Sequence, residues 1–319
     1  MDSEERLALI KRNVVEIVTE EELRKLLEKK KPVVYCGYEP SGSLHLGHLV
    51  TIIKLKDFAR AGFKVKILLA DLHAFLNRKG SEEEIEKESK EWEKTIKAMK
   101  LNAEIVFGSK FQFDKEYLLD VIKVAREITI SRGMRSMQEI ARDIEHGTIS
   151  QLLYPLMQVA DIKHLGIDVA LGGMEQRKVH MIGREMSNVL GHSFVAVHIP
   201  LITSLKGPGE KMSKSVAGSG IAVTDNYEEI KKAVMKAYCP EKASESNPIL
   251  EITKLIIFPE MGGLSVKQKD KSIYFSDYSE LEKVYKEGKL HPLDLKNAVV
   301  EALERIIAPI RKNLQKNKF

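Results

Sequence analysis

The chain has 319 residues, 43% hydrophobic and 30% charged, with a formal net charge of +5. That length can bury a sizeable core and suits two domains, and so mild a basic balance permits acidic partners without demanding them. Only Cys36 and Cys239 are present, which excludes a disulfide scaffold or a cysteine-rich zinc site and fits a reducing compartment.

The opening "MDSEERLALIKRN" carries charges throughout and lacks an apolar core of signal-peptide length, so a cytoplasmic protein is expected. No stretch is apolar for long enough to span a bilayer. "TEEELRKLLEKK" predicts a helix behind a capping box at Thr19 and Glu22. "PVVYCGY" (32–38) reads as a strand, "LVTIIKLKDFARAG" as a helix stopping at Gly62, and "KVKILLA" (64–70) as a second strand. A helix behind Ser81 and Glu84 follows, then a third strand at "AEIVFG" (103–108). This alternation predicts a parallel sheet with right-handed crossovers. Residues 111–165 read as a mostly helical insertion. "DVALGG" (168–173) and "FVAVHIPLI" (194–202) return to strand, on either side of the helical "EQRKVHMIGREMSNVLG". After the glycine-rich "KGPGEKMSKSVAGSG" the signals from about 222 are helical, with helix starts at Asn226, Asn247–Pro248 and Asp277. The expected architecture is an α/β, Rossmann-like parallel-sheet domain over 1–220, followed by a mostly α-helical domain over 221–319.

Three stretches can carry chemistry. "EPSGSLHLGHLV" lies between the first strand and the next helix, at the carboxyl end of a strand, where open parallel sheets bind ligands. His45 and His48 sit where that helix begins, so imidazole N–H groups and free backbone N–H groups can meet phosphate there. Gly47 lets a flat ring lie against the backbone. Histidines at a helix start can equally be local caps. "KMSKS" (211–215) places Lys211 and Lys214 in a Gly/Ser-rich loop, where two ammonium groups can clamp a polyphosphate or simply face water. "YPLMQVADIKHLG" carries Tyr154, Gln158 and Asp161 at i, i+4 and i+7, one helical face. Its apolar neighbours imply a buried helix, and buried polar groups need partners, so a polar ligand is expected.

In this order and separation, "HLGH" and "KMSKS" resemble the signature pair of the class I aminoacyl-tRNA synthetases. With "YCGYEPSG", "LLADLHAFLN", "YPLMQVADI", "GGMEQRK", "KAYCP" and "HPLDLK", the chain resembles the tyrosyl-tRNA synthetases of compact archaeal and eukaryotic type, from about residue 10 to 315. The resemblance implies formation of tyrosyl-adenylate from L-tyrosine and ATP with Mg²⁺, then transfer of tyrosine to tRNA, with no tightly held protein-ligated metal. It implies that Tyr35 and Asp161 hold the tyrosine hydroxyl. Tyr154, Gln158 and Gln176 would hold the ammonium, with Glu39 beside the site. His45, Gly47, His48, Lys211 and Lys214 are matched to ATP, and Arg135, Arg177, Lys178, His291 and Asp294 to tRNA. A homodimer through the helical insertion is also implied.

A site that hydrogen-bonds a phenol rejects phenylalanine by roughly 10⁴–10⁵-fold, which suits the Tyr35–Asp161 pair. Two departures stand out. Compact archaeal members commonly carry "KMSSS", where this chain has Lys214. The family's aromatic near the anticodon is matched by Lys269 in "VKQKDKSIYF", leaving the base to be held by charge or by nearby Tyr274 or Phe275. Competing readings are a tryptophanyl enzyme, which this polar pair suits poorly, and a non-catalytic RNA-binding paralogue, which should have lost a histidine or lysine of the motifs. An unrelated adenylyltransferase would leave the tyrosine pocket without a purpose.

Overall fold

Six strands make one sheet: β1 (Glu16–Val18), β2 (Val33–Tyr38), β3 (Lys64–Leu69), β4 (Ala103–Phe107), β5 (Val169–Gly173) and β6 (Val195–Ile199). Their order is β1-β6-β5-β2-β3-β4. All neighbours pair in parallel except β1, which runs antiparallel to β6 along one edge. β5 and β6 are buried along their whole length. Their uninterrupted "VALGG" and "VAVHI" reflect a sheet covered on both faces, where alternation has no purpose. The structure, a computed structural model, describes residues 1–137, 147–213, 216–268 and 271–316.

The chain divides into two units. The first comprises Met1–Ser41, Lys54–Glu93 and Leu101–Pro200, and the second Gly42–Ile53, Lys94–Lys100 and Leu201–Phe319. The helices from α1 (Ser3–Lys11) and α2 (Glu20–Glu28) through α3 (Leu46–Arg60), α4 (Asp71–Leu76) and α5 (Glu82–Ala98) precede β4. Capping boxes at Asp2/Glu5 and Thr19/Glu22 start the first two, satisfying backbone donors that a helix start leaves open. Between β4 and β5 run α6 (Lys115–Glu127), α7 (Ile130–Met137) and α8 (Ile149–His164); α9 (Arg177–Glu185) and α10 (Ser187–Leu190) then lead to β6.

The chain builds β2, β3 and β4 outward in one direction, then returns to lay β5 and β6 on the other side of β2. The order therefore reverses between β2 and β5, and open α/β sheets bind ligands beyond the carboxyl ends of strands at such a reversal. Glu39 follows β2 directly and Gln176 follows β5 by three residues. α8 is clamped between neighbours: Tyr117 and Val124 of α6, and Val179 and Ile182 of α9, pack with its Met157 and Ala160.

In the second unit, α11 (Tyr227–Lys236) starts at the Asn226/Glu229 capping box. α12 (Pro248–Ile252) continues through a π-helical stretch, Thr253–Ile257, into α13 (Phe258–Met261). A hairpin of β7 (Leu264–Gln268) and β8 (Lys271–Phe275) precedes α14 (Tyr278–Lys286) and α15 (Pro292–Lys316). Both β7 and α11 pack on α15, whose Leu295, Val299, Leu303 and Ile307 form one buried stripe. Two elements differ from the sequence expectation. The region after 222 is mostly helical but contains this hairpin, and residues 16–18 add the antiparallel edge strand. Burial in β7 alternates in the period-2 manner of a strand with one covered face. β1 is only three residues long and owes its form to pairing with β6. Among the described residues no helix is long and apolar enough to cross a membrane.

A buried charge cluster ties α3 to the end of α1. Lys54 Nζ donates to the carbonyls of Ile10 (3.0 Å) and Arg12, and to Asp57 Oδ2 (2.9 Å). Asp57 Oδ1 accepts from Arg12 Nη2 at 2.6 Å. Lys54 and Asp57 are 3% and 1% exposed, so each charge depends on the other. Asp57→Ala should cost about 3–5 kcal/mol, because an unpaired buried ammonium remains. Denaturant unfolding measures this, and a loss under about 1 kcal/mol, typical of an exposed pair, would refute the dependence.

Candidate active site

α8 places Tyr154, Gln158 and Asp161 on one face, and packing on all sides buries them to 6%, 9% and 0% exposure. Tyr35, central in β2 and 1% exposed, lies beside Gln158 and Asp161. Burial, then the Asp161 charge, pushes the Tyr35 phenol far above its ordinary range. Asp161 Oδ1 accepts from Gln112 Nε2 at 2.7 Å and Tyr117 Oη at 2.9 Å. Gln112 Nε2 also lies 3.3 Å from His73 Nδ1. A histidine accepting there carries its proton on Nε2. That Nε2 stands 3.3 Å from Asp161 Oδ2, yet neither atom forms a hydrogen bond. Burial lowers His73 to about 3, so its ring is neutral. Burial, the dominant cause, raises Asp161 to about 7 against the pull of Gln112 and Tyr117. A carboxyl raised in this way favours the folded chain most at low pH, and that contribution falls as pH rises through about 7.

The other end of the polar face is also built. Gln158 Nε2 donates to Gln176 Oε1 at 3.1 Å, while Gln158 Oε1 is buried with no hydrogen-bond partner. Gly172 of β5 makes room for Gln176, since a β-carbon there would stand 2.9 Å from its Cβ and Cγ. Asn77 Nδ2 lies 3.2 Å from both Glu39 oxygens, and Lys79 Nζ is 3.6 Å from Oε2. Glu39 in turn accepts from the Tyr154 hydroxyl. The structure thus brings together Tyr35, Glu39, Tyr154, Gln158, Asp161 and Gln176. It adds His73, Gln112, Tyr117 and Asn77, which the sequence reading did not assign. Their signal was a polar residue inside an apolar run, as in "DLHAFLN" and "FQFD".

The two remaining motifs lie in the second unit. His45 precedes α3 and its carbonyl accepts from His48 N and Leu49 N. Gly47 N donates to His45 Nδ1 (3.1 Å), and His45 N donates to His48 Nδ1 (3.2 Å). Both Nδ1 atoms therefore accept, which leaves each Nε2 as a donor. The two rings are in contact but tilted, 3.8 Å between centroids and 35° between planes. Desolvation, with His45 and Lys211 nearby, holds His48 well below the usual histidine range and hence neutral. A β-carbon on Gly47 would stand 2.9 Å from the His45 ring. The ring over Gly47 here is His45 itself.

The segment around Lys211 is tied to its surroundings. Thr203 and Lys211 form a β-bridge, as do His45 and Ala222. Met212 is 4% exposed and its N–H donates to Ile202 O at 2.8 Å. Ser213 and Ser219 bond to each other in both directions. Lys211 is exposed, and Lys214 lies outside the described residues.

The residues matched to tRNA are dispersed. Arg177 opens α9 and is gripped by Glu16, Nε to Oε2 at 2.8 Å and Nη2 to Oε1 at 2.9 Å. Arg135 is exposed on α7 and donates to Ser131 Oγ, and Lys178 is exposed. His291 Nδ1 accepts from Leu293 N at the start of α15, with Asp294 in its first turn. Lys269 lies outside the described residues. Of the two aromatics offered beside it, Phe275 is buried at 2% exposure and Tyr274 is 60% exposed, so Tyr274 alone has a free face.

The profile of the family described as tRNA synthetases class I (W and Y) matches residues 27–308. The tyrosine–tRNA ligase of Methanocaldococcus jannaschii is 48% identical over 310 residues, covering 96% of this chain and 98% of the relative. The tyrosyl-tRNA synthetase of Archaeoglobus fulgidus, solved with L-tyrosine, superposes with a TM-score of 0.94 at 47% identity, covering 98% of this chain and all of that one. A tryptophanyl-tRNA synthetase from Aeropyrum pernix K1, at 22% identity and TM-score 0.75, over 92% of this chain and 82% of its own, shares the fold alone. A match of this extent, over a buried polar face of the kind just described, makes the chain a member of the archaeal-type tyrosyl-tRNA synthetases, class I enzymes with tyrosine–tRNA ligase activity.

Proposed function

We propose that the buried face of α8 is the tyrosine site, and that Tyr35 and Asp161 read the phenol hydroxyl. The observation that carries this is the pair of buried, unpartnered oxygens, Asp161 Oδ2 and Gln158 Oε1, on successive turns of one face. A phenol O–H donates to the first and an ammonium to the second, and each pairing removes a cost of leaving a buried polar group unsatisfied. Tyr154, Gln176 and Glu39 complete the ammonium end. His45 and His48 donate from Nε2 to ATP phosphates, Gly47 gives the His45 ring the room it needs, and Lys211 and Lys214 neutralise the β- and γ-phosphates. Mg²⁺ enters as part of the ATP substrate, held by its phosphates. The tyrosine carboxylate attacks the α-phosphorus, the bond to the bridging oxygen breaks, and pyrophosphate leaves. A terminal ribose hydroxyl of tRNA then takes the tyrosyl group and AMP leaves. No protein nucleophile is needed, and catalysis is positioning and charge stabilisation.

Residues 1–220 act in this reading as the catalytic domain, with an insertion at about 111–165, and residues 221–319 as the anticodon-recognition domain. Leu118, Leu119 and Ile122 of α6 are 43%, 49% and 57% exposed. A row of apolar side chains on the insertion suits a homodimer interface. The enzyme works in the cytoplasm. Tyrosine-dependent ATP–pyrophosphate exchange, run against all twenty amino acids, tests the whole assignment.

Three outcomes are expected. Tyrosine binds the ionised Asp161, so below a pH of about 7 its Kd should rise, approaching about tenfold per unit. Asp161→Asn should flatten that slope and weaken binding; a Kd independent of pH between 5.5 and 8 would sink the assignment. Lys211→Ala should lower kcat for adenylate formation more than it changes tyrosine affinity, and more than Lys214→Ala does. Single-turnover adenylation measures both, and rates equal to wild type would end the phosphate-clamp role. Asp294→Ala should raise KM for tRNA and weaken discrimination at the first anticodon base, where a carboxylate matches the two donors of guanine. Charging of four transcripts that differ at that base decides it, and unchanged discrimination would leave Asp294 a helix-start residue worth ~0.3–1 kcal/mol.

A further inference from the structure

Arg177 does not stand alone on the surface. Glu16 and His198 are direct partners across the antiparallel β1–β6 pair, so their side chains share one face of the sheet. His198 Nδ1 is 2.9 Å from Glu16 Oε2, and His198 Nε2 is 3.0 Å from His180 Nδ1. His198 and His180 are 0% and 1% exposed. The proton order follows from chemistry. A carboxylate only accepts, so His198 Nδ1 donates. Burial keeps His198 below its ordinary range and neutral, so its Nε2 is bare and His180 Nδ1 donates to it. Glu16 then accepts from His198 and twice from Arg177, which fixes both oxygens.

We infer that Glu16, aimed by the buried His198–His180 pair, is a positioning residue that presents the Arg177 guanidinium to the acceptor end of tRNA. The inference rests on the proposal that Arg177 and its neighbours Lys178 and Arg135 read the first base pair. Glu16 holds Arg177 side-on, by Nε and Nη2. A guanidinium is planar and rigid, so this grip turns the Nη1–Nη2 edge away from the carboxylate. That edge carries two parallel donors at the spacing of guanine O6 and N7. The arrangement does little for stability, since the Arg177 side chain is 43% exposed and ion pairs of that kind contribute little. Two desolvated histidines behind one exposed arginine are accounted for by aim.

The test is charging of two transcripts, one with a C–G first pair and one with G–C, alongside tyrosine-dependent ATP–pyrophosphate exchange. Glu16→Gln keeps the shape but places a donor where His198 or Arg177 donates. It should lower kcat/KM for charging the C–G transcript by about tenfold relative to exchange, and narrow the preference between transcripts, as loss of one bidentate contact does. Glu16→Asp keeps the charge but withdraws it from Arg177 and should give a smaller loss in the same direction. If Glu16→Gln lowers the melting temperature and exchange together, the Asp variant decides. Arg177→Ala separates the two claims. If it abolishes discrimination while both Glu16 variants discriminate like wild type, the positioning inference is overturned and base reading stands. If Arg177→Ala itself discriminates like wild type, base reading by Arg177 fails and the inference falls with it.

Discussion

The polar face of α8 depends on a carboxylate with no exposure to water. Asp161 sits in the interior of the first unit, where an isolated charge would cost far more than the net stability of a domain. The fold meets that cost on one side only. Gln112 and Tyr117 both donate to Oδ1, which fixes the plane of the carboxylate and leaves Oδ2 facing His73 without a hydrogen bond. The result is a carboxyl balanced near neutrality, able to become a full acceptor when a phenol donates to it. On the proposed reading, such a site would prefer tyrosine to phenylalanine for the reason that makes it costly when empty of donors.

The surrounding architecture serves that balance. α8 could not carry three polar groups on one face unless its other faces were packed well enough to hold the helix, and α6 and α9 supply that packing. The same α6 delivers Tyr117, and the turn before it delivers Gln112. Reversal of strand order between β2 and β5 brings Tyr35 next to the helix and places Glu39 and Gln176 at the strand ends. Stability and recognition therefore draw on the same elements, and a change that loosens the helical insertion should also loosen the pocket.

The segment of His45 and His48 follows a different principle. It uses partial charges at a helix start and neutral imidazoles, whose tautomers are set by backbone N–H groups of their own segment. A site built this way presents donors without a fixed positive charge, so the lysine segment can supply charge separately. Its backbone is tied by a bridge to Thr203 and by paired serine bonds. The Arg177–Glu16 pair shows the same economy, with two buried histidines backing the carboxylate that holds an exposed cation.

Much of this was legible in the chain alone. Periodicity identified the five parallel strands and the main helices, because hydrophobic spacing is a direct consequence of which face is covered. The i, i+4, i+7 pattern of Tyr154, Gln158 and Asp161 was readable because helix geometry turns sequence spacing into a shared face. Membership of the family was readable because "HLGH" and "KMSKS" keep their order and separation. Other features belong to tertiary structure. β1 is too short to declare itself and forms by pairing with β6. The β7–β8 hairpin lay inside a region whose helix signals were stronger. Gln112, Tyr117 and His73 come from three separate segments, and nothing in their local sequence says that they converge on Asp161. The partner of Arg177 is 161 residues away, and the choice between Tyr274 and Phe275 depended on which side of a hairpin faces α15. The common reason is that local sequence reports the period of burial along one element, whereas hydrogen-bond partners and charge environments are set by which elements meet.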